Sequence, residues 1–183
     1  KAQNKDIYLY LEQNFESPPR LMLFDGKEKE ILQSNVQQKH FYWSKNQPIE
    51  YDVNGVKTKG ILFYPADYKA GMKYPLLVHI YERQFAYLND YENPSEFSPD
   101  GFNVNHIAAK GYFILYPDIQ YKFGNLAQSV TQSVLSAVDK VVTMGMVDPA
   151  KVGIMGHSFG GYETDLIITQ TDRFAAAVSG AAW

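Results

Sequence analysis

The sequence predicts an α/β fold with a largely parallel β-sheet. After residue 49, apolar strand-like runs alternate with stretches of helical periodicity, and Gly or Pro residues separate the two kinds of segment. Two of the runs are almost continuously apolar, which is typical of strands covered on both faces. The 183 residues, 45% hydrophobic and 15% aromatic, provide enough apolar surface for a core of this kind.

The first 48 residues predict β structure of a different kind. Strand-like runs cover Ile7–Leu11 and Arg20–Phe24, and turn signals follow each run at Ser17-Pro18-Pro19 and Asp25-Gly26. An isolated hairpin is marginal in water, so two such ribbons bury little by themselves. We expect residues 1–48 to be a β segment at the edge of something larger, and residues 49–183 to be a separate α/β unit.

The second unit begins with a predicted hairpin. Its strands are Ile49–Val53 and Gly60–Tyr64, and Asn54-Gly55 suits a type I′ turn between them. Further along the chain the pattern predicts a buried strand, a short helix and a second buried strand over Tyr74–Tyr81, Asn103–Ala109 and Gly111–Tyr116.

The clearest helix is predicted over Asn125–Met144. Its apolar stripe has three- and four-residue steps and consists of Leu126, Val130, Val134, Val138 or Ala137, and Val141. Gly145 is placed for a C-terminal cap, and Pro149 prevents the helix from resuming. A short strand, a helix and a last strand complete the pattern over Val152–Met155, Gly160–Gln170 and Phe174–Val178.

A catalytic motif lies between the last predicted strand–helix pair. Gly156-His157-Ser158-Phe159-Gly160 matches G-x-S-x-G, the nucleophile elbow. The serine of such an elbow needs a sharp strand-to-helix turn, and glycines are needed where side chains would clash. The turn exposes the hydroxyl, and the helix directs its N–H groups toward developing negative charge. The alternative is a glycine-rich turn with a structural serine.

The segment around this motif, Val147 to Thr164, resembles the catalytic core of the prolyl oligopeptidase family of serine peptidases. The resemblance extends from about Tyr51 to Trp183 and includes Tyr64-Pro65-Ala66-Asp67-Tyr68 and Tyr116-Pro117-Asp118. It implies that residues 49–183 are the N-terminal half of an α/β-hydrolase sheet. It also implies that residues 1–48 are the end of a β-propeller with its return strand, because a propeller precedes the hydrolase domain in this family.

The resemblance also implies three site residues. Ser158 takes the position of the nucleophile, and the backbone N–H of Phe159 is one oxyanion donor. Tyr81 takes the position of the second donor, a tyrosine hydroxyl, and a phenol stays protonated at neutral pH. The sequence departs from the family directly afterwards, since Glu82-Arg83-Gln84-Phe85 replaces the usual small residues. Without the resemblance, Tyr81 is better interpreted as a strand-end aromatic that packs on a neighbour.

The catalytic triad cannot be completed from this sequence. A serine nucleophile needs a base, usually a histidine oriented by a carboxylate, and in α/β-hydrolases both follow the serine in the chain. The residues after Ser158 include Glu163, Asp165 and Asp172 but no histidine. The four histidines, none of which suits the role, are His40, His79, His106 and His157. We therefore expect a catalytic domain truncated within its sheet and inactive alone, with the triad acid and base beyond the sequence.

The last predicted strand has a consequence of its own. A sheet that stops at Phe174–Val178 has an apolar strand at its edge, and such edges template pairing with another strand. The whole segment Phe174–Trp183 is apolar and rich in small residues. We expect this strand to pair with the missing C-terminal half or with another copy of the chain.

The composition excludes several other classes of function. A net charge of −3 without a basic stripe is not a nucleic-acid footprint, and no apolar run is long enough for a membrane span. The chain has no cysteine, its histidines have no metal-ligand spacing, and GxGxxG is absent, so we expect neither metal nor cofactor. The first six residues do not have the pattern of a signal peptide.

The leading interpretation is thus part of a serine peptidase that hydrolyses short peptides through an acyl-enzyme on Ser158. The family resemblance favours a periplasmic or secreted protein. An acyl esterase on the same fold is one alternative. A non-catalytic homologue used for binding or assembly is another, and only the departure at Glu82-Arg83-Gln84 favours it.

Overall fold

A computed structural model describes residue 3, residues 5–98 and residues 101–182 of the protein. The N-terminal part forms a three-stranded antiparallel sheet in the order β1-β2-β3. Its strands are β1 (Tyr8–Asn14), β2 (Ser17–Phe24) and β3 (Glu28–Gln33). The first two strands confirm the sequence prediction. The third was missed, because the charged run Glu28-Lys29-Glu30 has no apolar alternation.

A six-stranded mixed sheet forms the rest of the structure. The strands are β4 (Asn46–Val53), β5 (Val56–Phe63), β6 (Tyr74–Ile80), β7 (Phe113–Pro117), β8 (Val147–His157) and β9 (Ala176–Gly180). They lie in the order β4-β5-β7-β6-β8-β9. Strands β7, β6, β8 and β9 are parallel, and β4 and β5 are antiparallel to their neighbours. The predicted α/β fold with a largely parallel sheet is confirmed.

Three helices and two 3₁₀ turns connect the strands. The helices are α1 (Val104–Ala109), α2 (Leu126–Thr143) and α3 (Phe159–Ile168), and the 3₁₀ turns cover Val36–His40 and Phe85–Asn89. None of the helices in the described residues is long and apolar enough to cross a membrane.

The predicted turn between β4 and β5 has the conformation that its sequence favours. Val53 pairs with Val56, which leaves a two-residue loop. Asn54 and Gly55 both have positive φ, 52° and 86°. Two successive residues with positive φ are the requirement of a type I′ turn, so this prediction is confirmed.

The central strands of the six-stranded sheet are buried on both faces. Alternate residues of β7 enter different cores: Phe113 and Leu115 pack with α2 and α3, whereas Ile114 and Tyr116 pack on the side of α1. Burial of both faces explains why the predicted strands are apolar at successive positions. In the stripe predicted on α2, Leu126 is partly buried against the core that holds α2 and α3. The other positions are fully buried there: Val130, Val134, Ala137, Val138 and Val141.

Several strand boundaries differ from the prediction, since β2, β4 and β5 each begin three or four residues earlier. The predicted turn at Ser17-Pro18-Pro19 therefore lies within β2.

Two differences among the parallel strands have a local cause. Strand β8 begins at Val147 rather than Val152. Its pairing with β6 is irregular around Pro149, and strands tolerate proline at such irregularities. Strand β9 begins at Ala176 rather than Phe174, because the Phe174 side chain packs against the first core before the strand begins.

Strand β9 lies at the edge of the sheet, and its residues are mostly exposed. Its pairing with a further chain segment stays a prediction, and Trp183 lies outside the described residues. The division of the chain into two domains at residue 48 also stays a prediction.

The two sheets meet at Phe15. This residue lies in the turn between β1 and β2, is buried, and packs against Phe63 of β5 with ring centroids 4.9 Å apart. The indole N–H of Trp43 donates to the carbonyl oxygen of Phe15 over 3.1 Å. The interpretation of the smaller sheet as the end of a β-propeller stays a prediction.

Candidate active site

Ser158 lies at the sharp turn that its motif predicts. Strand β8 ends at His157 and helix α3 begins at Phe159, so Ser158 alone makes the turn. Its backbone has φ 57° and ψ −122°, a conformation that is strained for any residue other than glycine. The Ser158 N–H donates to the carbonyl oxygen of Gly180 over 2.8 Å, and the Tyr162 N–H donates to the Ser158 carbonyl oxygen over 3.1 Å. These bonds hold the turn between β9 and the first turn of α3.

Three glycines allow this turn because no side chain would fit at their positions. A Cβ on Gly156 would collide with the carbonyl group of Gly160, and a Cβ on Gly160 would collide with the carbonyl oxygen of Ile80. A Cβ on Gly161 would lie 2.5 Å from the carbonyl oxygen of Gly180. The neighbouring atoms are backbone in every case, and backbone cannot move aside as a flexible side chain can. The glycines therefore let α3 pack directly on the ends of β6 and β9.

A cavity of about 590 Å³ opens beside the elbow. Ser158 and Tyr81 both line it, together with His79, His157 and the loop that leads from β6 to α1. Phe159 does not line the cavity with its side chain. Its backbone N–H belongs to the first residue of α3, a position that has no hydrogen-bond partner within the helix. The structure thus brings two of the three predicted site residues to one cavity, with the N–H of the third next to Ser158.

The loop that follows Tyr81 is held by side chains from elsewhere in the fold. Glu82 has a positive φ of 43°, the region that favours glycine. One oxygen of the Asp118 carboxylate accepts from the N–H groups of Gln84 and Phe85 over 2.7 and 2.9 Å. The Gln84 amide is buried and donates to the carbonyl oxygen of His79 over 2.8 Å. Tyr81 itself stays 42% exposed.

The departure at Glu82-Arg83-Gln84-Phe85 is therefore compatible with an ordered loop. Glu82 adopts the left-handed conformation that a glycine would otherwise supply. The residues after Glu82 are fixed by the Asp118 carboxylate, which accepts a hydrogen bond from the Gln84 N–H, and by the Gln84 side chain, which donates to His79. Sequence reasoning missed Asp118 and Gln84. The signal for Asp118 was its place directly after the buried strand β7, since ligand-binding groups gather at the carboxyl ends of parallel strands.

Comparison with known proteins agrees with this geometry. The prolyl oligopeptidase family matches residues 121–183, which contain the elbow. The chain belongs to that family. It is 30% identical over 139 residues to the uncharacterized peptidase YuxL of Bacillus subtilis, covering 69% of this chain and 20% of the relative. It is 27% identical over 143 residues to human dipeptidyl peptidase 8, covering 69% of this chain and 15% of the relative.

The fold agrees with a solved member of the prolyl oligopeptidase family. The acylaminoacyl peptidase of Pyrococcus horikoshii superposes with a TM-score of 0.75 at 21% identity, covering 97% of this chain and 30% of that one. The chain therefore spans about a third or less of the proteins it matches.

A prolyl oligopeptidase family nucleophile needs a histidine beside it, and the described residues supply none in that position. His79 is buried, stacks on Phe102 with centroids 4.3 Å apart, and has its Nδ1 3.1 Å from Oε1 of Gln84. His157 is the residue before the nucleophile and is exposed. His106 lies in α1 and His40 ends an exposed 3₁₀ turn. Within the described part of the chain, no hydrogen bond joins a histidine to the Ser158 hydroxyl.

The acidic residues that follow the elbow differ from each other in burial. Asp165 is exposed, as a residue that only complements the helix dipole would be. Glu163 is completely buried, and the Tyr121 hydroxyl donates to its Oε1 over 2.5 Å. Burial raises the pKa of Glu163 to about 7. The sequence alone did not distinguish Glu163 from Asp165. Both lie on α3, and which of them is buried depends on the loops that cover the helix.

No three His, Asp or Glu side chains among the described residues gather in a way that could hold an ion.

Proposed function

We propose that the protein containing this sequence is a serine peptidase that hydrolyses short peptides through an acyl-enzyme on Ser158. The observation that carries the proposal is the position of Ser158, at a turn with positive φ on the wall of a cavity that Tyr81 also lines. A hydroxyl presented in this way can attack a carbonyl carbon, while donors beside it stabilise the negative oxygen that results.

The proposed reaction has two halves. Ser158 Oγ attacks the peptide carbonyl carbon and gives its proton to a histidine, while the Phe159 N–H and the Tyr81 hydroxyl donate to the oxyanion. The intermediate then expels the amine, which takes that proton and leaves an ester on Ser158. A water molecule hydrolyses the ester by the same route in reverse.

The histidine and its orienting acid are proposed to lie beyond this sequence. In α/β-hydrolases both follow the serine in the chain, and the described residues after Ser158 contain acidic groups but no histidine. On this proposal the chain does not turn over substrate by itself. Edge strand β9, whose residues are mostly exposed, would pair with the segment that carries these groups or with a second copy of the chain. Slow amide exchange at Ala176–Gly180 in the complete protein, compared with this chain alone, would support that pairing.

The proposed substrates are short peptides cleaved near the N-terminus. Relatives named dipeptidyl peptidase and acylaminoacyl peptidase support this class. The sheet β1-β2-β3 is proposed to be the end of a β-propeller with its return strand, and a periplasmic or secreted location is proposed for the protein. Peptide libraries with free and blocked N-termini would define the specificity.

Fluorophosphonate labelling of the complete protein tests the role of Ser158. We expect the wild type to be labelled on Ser158 and to hydrolyse peptides, and Ser158→Ala to lose both properties. Replacing a triad member typically lowers kcat by about 10⁴- to 10⁶-fold. Ser95→Ala is the matched control, because Ser95 lies in the loop beside the cavity without lining it. Peptide hydrolysis retained by Ser158→Ala would remove this serine from the mechanism.

The same experiment separates the two alternatives. Labelling of Ser158 with hydrolysis of esters but not peptides would indicate an acyl esterase on the same fold. A folded wild-type protein that is not labelled would indicate a binding or assembly homologue.

A further inference from the structure

The side-chain pair Glu163–Tyr121 joins helix α3, which carries the candidate oxyanion donor Phe159, to the segment that follows β7. Glu163 belongs to α3, five residues after Ser158, and Tyr121 follows β7. The Tyr121 hydroxyl donates to Glu163 Oε1 over 2.5 Å, and the Tyr121 ring lies 6.2 Å from the Phe159 ring. Glu163 Oε2 is buried and has no hydrogen-bond partner among the described residues. The proposed reaction assigns no role to either side chain.

Tyr121 is connected to the loop after Tyr81 through the backbone. It ends the segment Asp118–Tyr121, and this segment binds the loop by three hydrogen bonds. The Ile119 N–H donates to the Glu82 carbonyl oxygen over 2.9 Å, and Asp118 Oδ1 accepts from Gln84 and Phe85. Hydrogen bonds at both ends of the backbone segment Asp118–Tyr121 therefore connect the helix of Ser158 to the loop of Tyr81.

The pKa of Glu163 agrees with this arrangement. The pKa of the Glu163 carboxyl is raised to about 7, mainly because the group is buried. The hydrogen bond from Tyr121 lowers this pKa in part. Glu82 has two opposing effects, since its charge raises the pKa and its backbone lowers it. Tyr121 and Glu82 are thus the titratable groups that face the Glu163 carboxyl.

We propose that Glu163 is a positioning residue, which fixes the loop of Tyr81 against the helix of Ser158 through Tyr121. It does not touch the substrate. It sets the distance between the hydroxyl of Tyr81 and the N–H of Phe159, which must reach the same oxygen atom. The catalytic consequence rests on the proposed function, because it requires both groups to be oxyanion donors.

Amide hydrogen exchange in the complete protein tests the structural half of this proposal. Gln84 and Phe85 donate their N–H groups to Asp118, so these amides report on the loop. We expect Glu163→Ala to accelerate their exchange by about tenfold or more, since local opening becomes easier when a contact is lost. Asp165→Asn is the control, an acidic residue of the same helix that is exposed. Unchanged exchange in Glu163→Ala would overturn the proposal, whether or not the protein is an enzyme.

Steady-state kinetics of the complete protein tests the catalytic half. We expect Glu163→Ala to lower kcat about tenfold with KM unchanged, less than the 10²- to 10³-fold cost of removing an oxyanion donor. Glu163→Gln should recover most of the loss, because its amide oxygen still accepts from Tyr121. In a Tyr81→Phe background Glu163→Ala should change kcat less than about twofold, since residues that act through one another are not additive.

Three outcomes would contradict the catalytic half. Full additivity of Glu163→Ala with Tyr81→Phe would do so, as would a raised KM with kcat unchanged, or no recovery in Glu163→Gln. If Glu163→Ala does not fold, Tyr121→Phe provides the same comparison, because it removes only the hydroxyl that joins the pair. If the wild type is neither labelled nor active, the proposed function fails, and hydrogen exchange still decides the structural half.

Discussion

The elbow at Ser158 and the loop after Tyr81 line the same cavity, and they keep their shapes by different means. Both contain a non-glycine residue with positive φ, Ser158 at 57° and Glu82 at 43°. At the elbow, glycines remove the side chains that would prevent close packing of backbone on backbone. In the loop, residues 82–85 include no glycine, and the side chains of the distant Asp118 and of Gln84 within the loop hold the backbone through hydrogen bonds.

This difference determines how each region responds to mutation. A position that has no room for a Cβ is intolerant of every side chain, because the neighbouring backbone cannot move without moving a strand. A loop held by several hydrogen bonds loses them one at a time, and each contributes only part of its stability. Substitutions at the elbow should therefore have large effects on folding, whereas substitutions around the loop should have graded effects on both folding and activity.

The largest effect is expected for Gly160→Ala. The new Cβ would collide with the carbonyl oxygen of Ile80, and α3 would have to move away from β6. We expect a loss of about 4 kcal/mol or more in the free energy of unfolding, the exceptional range that a main-chain clash in a core produces. Urea denaturation followed by circular dichroism measures this loss.

Gly153→Ala is the matched control for that substitution. Gly153 lies in strand β8, which leads into the elbow, and a Cβ there would meet Cδ1 of Leu77 at 3.4 Å and the carbonyl oxygen of Ala176 at 3.6 Å. Because these are ordinary contacts, we expect a change within about 1 kcal/mol. Equal losses for the two variants would show that close packing does not determine the elbow.

A smaller effect is expected for Asp118→Ala. The substitution removes the carboxylate oxygen that accepts from Gln84 and Phe85, and hydrogen bonds to charged groups contribute about 1.5–3 kcal/mol each. We expect a loss of about 3 kcal/mol in the free energy of unfolding, the lower end for two such bonds because they share one oxygen atom, and Asp118→Asn should lose about half as much because its amide oxygen still accepts. Urea denaturation gives the losses, and amide exchange at Gln84 and Phe85 locates them.

Asp52→Ala is the control for the loop. The Asp52 carboxylate accepts from the Gly55 N–H over 2.7 Å in the hairpin between β4 and β5, remote from the cavity. It should lower stability without accelerating exchange at Gln84 and Phe85. If both aspartate variants accelerate that exchange equally, Asp118 does not hold the loop specifically.

Sequence reasoning predicted the elbow well because its determinants are local. Gly156, Ser158 and Gly160 lie within five residues, so the motif contains the whole steric requirement. The apolar runs of β6 and β7 predicted buried strands for a similar reason, since burial on both faces appears in consecutive residues. In each case one short stretch of sequence contained the information.

The loop after Tyr81 could not be predicted in the same way. Its shape depends on Asp118, 34 residues from Gln84, and on a buried carboxyl of Glu163, 42 residues from Tyr121. No periodicity connects such positions, because they meet only when β6, β7 and α3 have assembled. Strand β3 was missed for a different reason, since its side chains are all exposed and leave no apolar pattern.

The last effect that separates the two regions is the pH dependence of stability that Glu163 causes where they meet. Burial raises its pKa from 4.5 to about 7, and Tyr121 and Glu82 are the titratable groups that face it. Between these two pH values the folded protein keeps a proton that the unfolded chain has lost, so this residue makes stability fall as pH rises. The cost is absent below pH 4.5 and fully present above pH 7.

Glu163→Gln should remove this contribution, because an amide does not titrate. Urea denaturation at a series of pH values should show a shallower fall for Glu163→Gln than for wild type between pH 4.5 and 7, and greater stability of the variant at higher pH. Asp165→Asn, at an exposed position of the same helix, should keep the wild-type slope. Equal slopes in wild type and Glu163→Gln would mean that Glu163 is ionised in the folded protein well below pH 7. The loop would then be bound to the elbow helix by a charged carboxylate rather than by a neutral acid.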